Sequence, residues 1–144
     1  MPRATANRVR TASLILASVL FVLSLGCSTL IYADDSSFLI GLACLLFGLS
    51  YPAWWANPFL FFTSCLLREN KPAWAVANAT TAIVLMLTTL SITQVEKNEA
   101  GHLAPVLGYG LGFYLWLACG LTLLAAALLC LGANKSASAP QQAQ

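Results

Sequence analysis

The sequence YPAWWANP, residues 51–58, interrupts an apolar stretch that runs from Ser37 to Lys71. Two prolines, two tryptophans and an asparagine lie together there, inside a run that is otherwise hydrophobic. Pro52 cannot donate a backbone hydrogen bond, and it disfavours helix at the residue before it. The sequence therefore predicts that this stretch crosses a membrane as a broken element rather than as one continuous helix.

A helix is predicted to restart at Asn57, with Asn57 as its N-cap and Pro58 at its first helical position. Backbone groups freed by the break need partners within the protein because lipid offers none, so the predicted role of Asn57 is structural. On this interpretation Asn57→Leu lowers thermal stability, whereas Asn57→Asp and Asn57→Ser are milder because both residues also cap helices. Trp54 and Trp55 are predicted to anchor the break at a membrane interface.

The composition of the whole chain is that of an integral membrane protein. Of its 144 residues, 59% are hydrophobic and 8% are charged, whereas a soluble domain has about 25% charged residues. Lipid must therefore solvate much of the surface, and the lipid bilayer is the predicted main partner. The net charge of +2 is too small to indicate a nucleic-acid partner.

The length leaves room for about four crossings of about 20 residues each. We therefore predict an all-α, multi-pass membrane bundle with one transmembrane domain, residues 1–131, and a disordered tail over 132–144. Three crossings are uninterrupted apolar runs, and the second is broken around residues 51–58. The predicted crossings are 11–32, a segment within 37–68, 72–93 and 108–131.

Two paths of the broken crossing are compatible with the sequence. In the first, residues 38–55 span the membrane and residues 58–67 lie along its inner surface. In the second, residues 38–50 enter from outside, the tryptophans lie near the outer interface, and residues 58–68 complete the crossing. The second path is favoured because a surface helix needs a polar face, and the stretch after the break is almost entirely apolar.

Basic residues are divided unevenly between the two sides that four crossings define. Lys97 falls on one side, together with the acidic residues of two loops. The other side holds six of the seven basic residues, and such a bias marks the cytoplasmic side. Both termini are therefore predicted to be cytoplasmic. The six residues are Arg3, Arg8, Arg10, Arg68, Lys71 and Lys135.

Three polar residues share one face of the third predicted crossing. Asn78, Thr81 and Thr88 recur at helical spacing, and polar side chains on a membrane helix are expected to face other helices rather than lipid. Together with Asn57 they are candidate structural polar sites. They are also the residues that would line a path for a neutral ligand.

Small residues predict close approach of helices at two places. Gly108 and Gly112 form a G-x-x-x-G spacing, where two backbones can come together. Gly41, Cys44 and Gly48 form a similar stripe near the break. Packing within the chain is favoured over self-association at these positions.

The sequence predicts no catalytic residues, cofactor or metal site. Glu96, Glu99 and His102 in one loop, with Asp34 and Asp35 on the same side, have side chains that bind metals, but a solvated loop is favoured because there is a single histidine. The five cysteines lie in apolar segments without a C-x-x-C pair, so they are interpreted as packing residues. They are Cys27, Cys44, Cys65, Cys119 and Cys130.

Two motifs lie at the break and in the last predicted crossing. The first is W-x-A-N-P, residues 54–58, and the second is G-[YF]-Y-L-W-L-A, residues 112–118 with Phe113 in place of the first tyrosine. Together they resemble motifs of an uncharacterised family of small bacterial four-helix membrane proteins. The resemblance covers about Ala12 to Leu131. The resemblance implies a four-helix membrane fold in a bacterial inner (plasma) membrane, and it implies no particular activity.

Two functions follow as hypotheses. The first is a non-catalytic accessory, scaffold or interaction protein that binds another membrane protein, or itself, through its helix faces. The second is a small transporter or channel that uses the broken helix at Asn57. The first is favoured because the apolar cores contain no Asp, Glu, Lys, Arg or His, and ion-coupled transport normally needs such a residue.

Overall fold

The computed structural model describes residues 3–32, 38–96 and 103–138. This part of the chain is mostly helical, at 80%. Its α-helices are α1 (Arg3–Gly26), α2 (Gly41–Phe47), α3 (Ala56–Arg68), α4 (Pro72–Leu87) and α5 (Leu111–Ser138). Short 3-10 helices cover Gly48–Ser50, Pro52–Trp55 and Thr88–Ser91.

Three of these segments are long and apolar enough to cross a membrane. By length and composition they are Asn7–Gly26, Pro72–Ser91 and Leu111–Asn134. They coincide with the first, third and fourth predicted crossings, which confirms those long apolar helices. The region between Gly41 and Arg68 consists instead of α2, two 3-10 helices and α3, with Gly41–Ser50 as a shorter apolar helix.

A four-stranded antiparallel sheet corrects the all-α prediction. The strands are β1 (Ser28–Tyr32), β2 (Phe38–Ile40), β3 (Gln94–Glu96) and β4 (Leu103–Tyr109), in the order β2-β1-β4-β3. The central pair joins Leu30 to Tyr109 and Ile31 to Gly108. Residues 28–32 are apolar enough to extend the first helix, but their β-branched and aromatic side chains also suit a strand. Partners distant in the sequence decide between the two.

The sheet also corrects the bounds of two predicted helices. The first helix ends at Gly26 rather than at residue 32, and the last begins at Leu111 rather than at 108. The tail that was predicted to be disordered begins inside a helix, because α5 continues through residues 132–138. Residues 139–144 lie outside the described part of the chain.

The helices pack with the sheet at one end of the bundle. Helix α1 lies along α5, α5 along α4, and α4 along α3. We call the end that carries the sheet the sheet end; it contains the C-terminus of α1 and the N-terminus of α5. The opposite end contains Arg10, Arg68 and Lys71, and we call it the basic end. There the Arg10 guanidinium donates a hydrogen bond to the Leu67 carbonyl oxygen at 3.2 Å.

A tight turn joins α3 to α4 at the basic end. Asn70 has a φ of 58°, the left-handed conformation that ends many helices. The Lys71 N–H bonds to the Leu66 carbonyl at 2.9 Å, and the Asn70 N–H bonds to the Leu67 carbonyl at 3.2 Å. This is the Schellman pattern, and Pro72 then begins α4 with its φ already suited to a helix. The two helices therefore run antiparallel and side by side.

Candidate functional site

Asn57 joins the break to the last helix instead of capping α3. Helix α3 begins at Ala56, and its N-cap residue, Trp55, makes no side-chain cap. The Asn57 Nδ2 group donates to the Trp54 carbonyl oxygen at 2.9 Å. The Trp116 indole N–H donates to Asn57 Oδ1 at 3.0 Å. The N-cap prediction for Asn57 was therefore wrong, although the side chain does pair with backbone at the break.

The physical reason is the proline that follows. In an α-helix the N–H of residue 58 would bond to the carbonyl of residue 54, but Pro58 has no N–H. The Trp54 carbonyl instead accepts a backbone N–H at the end of the 3-10 helix Pro52–Trp55. The side-chain amide of Asn57 adds a second hydrogen bond to this carbonyl.

The two tryptophans of the break have different surroundings. Trp55 is 52% exposed, as the interfacial interpretation requires. Trp54 is half-buried, and its indole N–H donates to the Leu45 carbonyl oxygen at 2.6 Å. Leu45 lies in the last turn of α2, just before the 3-10 helix that begins at Gly48. Trp54 therefore ties the end of α2 to the break, a role that differs from the predicted surface anchor.

The predicted polar face of α4 is only partly turned toward other helices. Asn78 donates to the Phe59 carbonyl at 2.6 Å and to Thr63 Oγ1 at 3.0 Å. Thr81 is exposed and bonds to the carbonyl of Ala77 within its own helix. Thr88 bonds in the same way to the Leu85 carbonyl. The prediction for Thr81 is corrected, and these residues do not line one path with Asn57.

Alanines form the buried face of α4, which the sequence interpretation missed. Ala75, Ala79 and Ala82 are each 0% exposed, as is Met86. They follow one another at spacings of three and four residues, so they lie on one side of the helix. Their small side chains let α3 and α5 approach closely. Asn78 lies at the edge of this face, and Thr81 lies beyond it.

The glycines separate into packed and open positions. A Cβ on Gly41 would overlap the backbone carbonyl of Ser24, and one on Gly112 would lie 2.8 Å from the Cys27 carbonyl oxygen. A Cβ on Gly48 would lie 3.1 Å from the Trp54 ring. Gly108, in contrast, has nothing within 4 Å and lies in β4, so its predicted helix-packing role is wrong.

Two further glycines make close contacts that the spacing did not indicate. Gly110 faces the Ser28 backbone, and Gly120 faces Met86, whose sulfur would lie 3.0 Å from an added Cβ. Gly110 and Gly112 together fit the start of α5 against the junction between α1 and β1. The close approach is therefore between the start of α5 and the residues that join α1 to β1, and the G-x-x-x-G spacing does not describe it.

A cavity of about 220 Å³ lies between the break and the sheet. It is bounded by the end of α1, by α2, by the segment after α4 and by the start of α5. No charged side chain is among the described residues that line it. The lining is mostly aliphatic and aromatic, with Phe21, Phe47, Tyr51, Trp54 and Trp116 as the aromatic residues.

Most polar groups of this cavity are already paired. Asn57, Trp54 and Trp116 make the hydrogen bonds described above, and Ser24 donates to the Phe21 carbonyl at 2.6 Å. Thr89 is different. It is 4% exposed, and its Oγ1 is buried without a hydrogen-bond partner among the described residues.

The cysteines and the predicted metal ligands form no site among the described residues. The five cysteines are free thiols. Among residues 3–32, 38–96 and 103–138, no group of three metal-binding side chains comes together. The residues of the metal hypothesis, Asp34, Asp35, Glu99 and His102, lie outside these ranges, and the side chain of Glu96 is not described.

Comparisons with protein-family models, with curated proteins and with solved structures gave no match for this chain.

Proposed function

We propose that the protein is a multi-pass membrane protein without catalytic activity, which binds or supports other membrane components through its helix faces. The observation that carries this proposal is the pairing of Asn57. One N–H of its side-chain amide donates to the Trp54 carbonyl, and its oxygen accepts from the Trp116 indole. The most distinctive residue of the sequence therefore joins the break to α5, which supports a structural role for it.

The proposed topology has four crossings, with α2, the break and α3 together forming the second. Asn78 of α4 contacts Phe59 and Thr63 of α3, and Arg10 of α1 contacts Leu67. Helix α3 thus lies alongside helices that are long enough to span. This favours the second of the two paths, in which α2 occupies the outer part of the membrane and α3 completes the crossing.

The proposed location is a bacterial inner membrane, with the basic end and both termini in the cytoplasm. The basic bias of the sequence supports this orientation, and the resemblance to small bacterial four-helix proteins supports the membrane. Topology reporters fused at Ser36, Asn70, Asn98 and the C-terminus test it. Asn70 and the C-terminus are expected inside, and Ser36 and Asn98 outside. A reporter that places Asn70 outside would overturn the four-crossing topology.

The interaction role is tested by photocrosslinking from single helix faces. A photoreactive residue replaces Phe61 of α3, Val22 of α1 or Leu128 of α5, whose side chains are 66%, 65% and 51% exposed. Thr63, at 0% exposure, is the buried control. We expect a protein adduct of defined mass, from another membrane protein or a second copy, from one face and none from Thr63. Lipid adducts alone from every face would contradict the interaction role.

The transporter is the second candidate, because a cavity adjoins the break. All the lining residues come from the sheet half of the bundle. Toward the basic end, fully buried side chains of Leu67, Met86 and Thr63 fill the interior. Flux of a neutral solute into reconstituted vesicles that disappears in an Asn57→Ala, Asn78→Ala double variant, with the fold intact, would favour transport over the first proposal.

A further inference from the structure

We propose that the basic end binds the headgroup phosphate of an anionic phospholipid, and that Arg10 and Arg68 are the side chains that hold it. The proposal rests on the membrane location proposed above, because the basic end must lie at the level of the lipid headgroups. It deepens the interaction role by naming one membrane component and the surface that recognises it. It does not depend on a protein partner.

The described charged side chains are gathered at the basic end. Arg8, Arg10, Arg68 and Lys71 are cations there, and Glu69 is the one carboxylate among the side chains that the structure describes. Glu69 is paired with Lys71, whose Nζ lies 2.7 Å from Glu69 Oε2. No described carboxylate therefore remains for the three arginines, and an anion from outside the protein would complete them.

Arg10 is held in place by hydrogen bonds to two neutral oxygen atoms. Its Nη1 group donates to the Leu67 carbonyl oxygen at 3.2 Å, and its Nη2 group donates to Asn7 Oδ1 at 3.1 Å. A guanidinium has five N–H donors, so further donors remain for a phosphate. The planar fork of N–H groups matches two phosphate oxygens. Because the half-buried side chain is already positioned, it loses little freedom when it binds one.

Arg68 supplies a second cation at the same place. It is the last residue of α3, and its side chain is exposed. Arg68 begins one peptide bond from the Leu67 carbonyl that Arg10 contacts. Both guanidinium groups can therefore reach one phosphate, with Arg10 as the positioned donor and Arg68 as the adjustable one.

The surroundings of these cations suit a lipid better than a free phosphate ion. Trp74, in the first turn of α4, is 70% exposed, and exposed tryptophans of membrane helices lie at the headgroup level. Phe61 precedes Arg68 by seven residues, so the two lie on the same side of α3. Phe61 is 66% exposed. An acyl chain that lies along Phe61 would therefore place its headgroup near Arg68.

The balance of charge selects an anionic headgroup over a zwitterionic one. A zwitterionic headgroup carries an ammonium group beside its phosphate, and an ammonium group needs an anion nearby. Glu69 is used by Lys71, and the other described charges of this end are positive. Phosphatidylglycerol carries a phosphate and no ammonium group. Basic pockets between membrane helices bind anionic headgroups of this kind.

Native mass spectrometry of the full chain tests the choice of lipid. The protein in neutral detergent is titrated with phosphatidylglycerol and with phosphatidylcholine of the same acyl chains. We expect phosphatidylglycerol to bind roughly tenfold more tightly, the value of one charge-assisted hydrogen bond. Equal binding would overturn the assignment. Glycerol phosphate, added as a competitor, should not displace the lipid at equal concentration; displacement would mean that the site takes a soluble phosphate instead.

Two matched variants separate a binding site from general attraction to cations. Arg68→Gln and Arg8→Gln each remove one exposed positive charge from the basic end. Arg8 lies two residues before Arg10, so the two side chains lie on opposite sides of α1. We expect Arg68→Gln to weaken phosphatidylglycerol binding roughly tenfold. Arg8→Gln should weaken it less than about threefold, since salt screens exposed charges that are not in contact. Equal losses would mean diffuse attraction and would overturn the site.

A variant of opposite sign completes the test. Glu69→Gln removes the described carboxylate of the basic end and the ion-pair partner of Lys71, so phosphatidylglycerol should bind about threefold more tightly. Arg10→Gln should weaken binding as much as Arg68→Gln. If loss of the bond to Leu67 prevents Arg10→Gln from folding, Arg68→Gln and Glu69→Gln still decide, because both change exposed side chains. Unchanged binding in those two variants would overturn the proposal. The crosslinking result is independent of these titrations, so a protein partner stands or fails separately.

Discussion

The two ends of the bundle show that segments of the same apolar character can pack either closely or around a cavity. At the basic end, α3 and α4 form an antiparallel pair whose contact face is alanine, with Ala75 and Ala79 at 0% exposure. At the sheet end, the second segment is split into short helices, and a cavity of about 220 Å³ remains beneath the sheet. The close contact at the basic end follows from the regular spacing of small residues along α4. The short helices and the cavity at the sheet end follow from two prolines, which prevent a continuous helix.

The polar side chains follow the same division. Asn78 at the α3–α4 contact bonds to a backbone carbonyl that already accepts a bond from Thr63, at 2.8 Å. It therefore adds to a ladder that is complete without it. Asn57 also bonds to a carbonyl that already accepts a backbone N–H, but its oxygen is in addition the acceptor of the Trp116 indole N–H. The lesson is that a polar side chain matters most where a polar group of another element depends on it.

The largest expected effect is that of Asn57→Asp. A carboxylate cannot donate to the Trp54 carbonyl, and it brings a charge into an apolar site, so we expect a loss of about 3 kcal/mol in the free energy of unfolding. An N-cap would tolerate aspartate. Thermal unfolding in detergent, followed with a thiol-reactive dye that detects Cys119 and Cys130 as they become exposed, measures it. Aspartate melting near the parent, with Asn57→Leu well below, would restore the capping interpretation.

The next effect separates the packed glycine from the open one. Gly112→Ala places a methyl group 2.8 Å from the Cys27 carbonyl oxygen, and we expect a loss of about 2 kcal/mol because backbone must move. Gly108→Ala meets nothing within 4 Å and should be neutral or slightly stabilising. The midpoints of thermal unfolding of the two variants, measured in the same dye assay, compare their stabilities. A G-x-x-x-G helix contact would instead make both variants harmful.

A smaller effect is expected for Asn78→Ala at the α3–α4 contact. Removal of two hydrogen bonds between membrane helices should cost about 1 kcal/mol, because the Phe59 carbonyl keeps its bond from Thr63. Denaturant titration in mixed micelles is the measurement. A loss as large as that of Asn57→Asp would show that both ends depend equally on their polar residues, against the division drawn above.

The smallest effect is that of Thr81→Ala. Its hydroxyl is exposed and bonds within its own helix, so the change should stay within about 0.5 kcal/mol. The same titration, run beside Asn78→Ala, checks it. A loss above that of Asn78→Ala would mean that Thr81 has a partner on another chain, and would move the protein-contacting face to this side of α4.

The sequence by itself determined three helices long and apolar enough to cross a membrane, and it predicted an interruption at the prolines of residues 51–58. Each depends on composition or on proline, which act locally. Only the tertiary structure decided that residues 28–32 leave α1 to form a strand, because the pairing of Leu30 with Tyr109 joins segments far apart in the chain. It also decided that Asn57 bonds to Trp116 across 59 positions and that the Thr89 hydroxyl is buried without a partner among the described residues. Hydrogen bonds and voids of this kind depend on which surfaces meet, and no spacing within one helix specifies that.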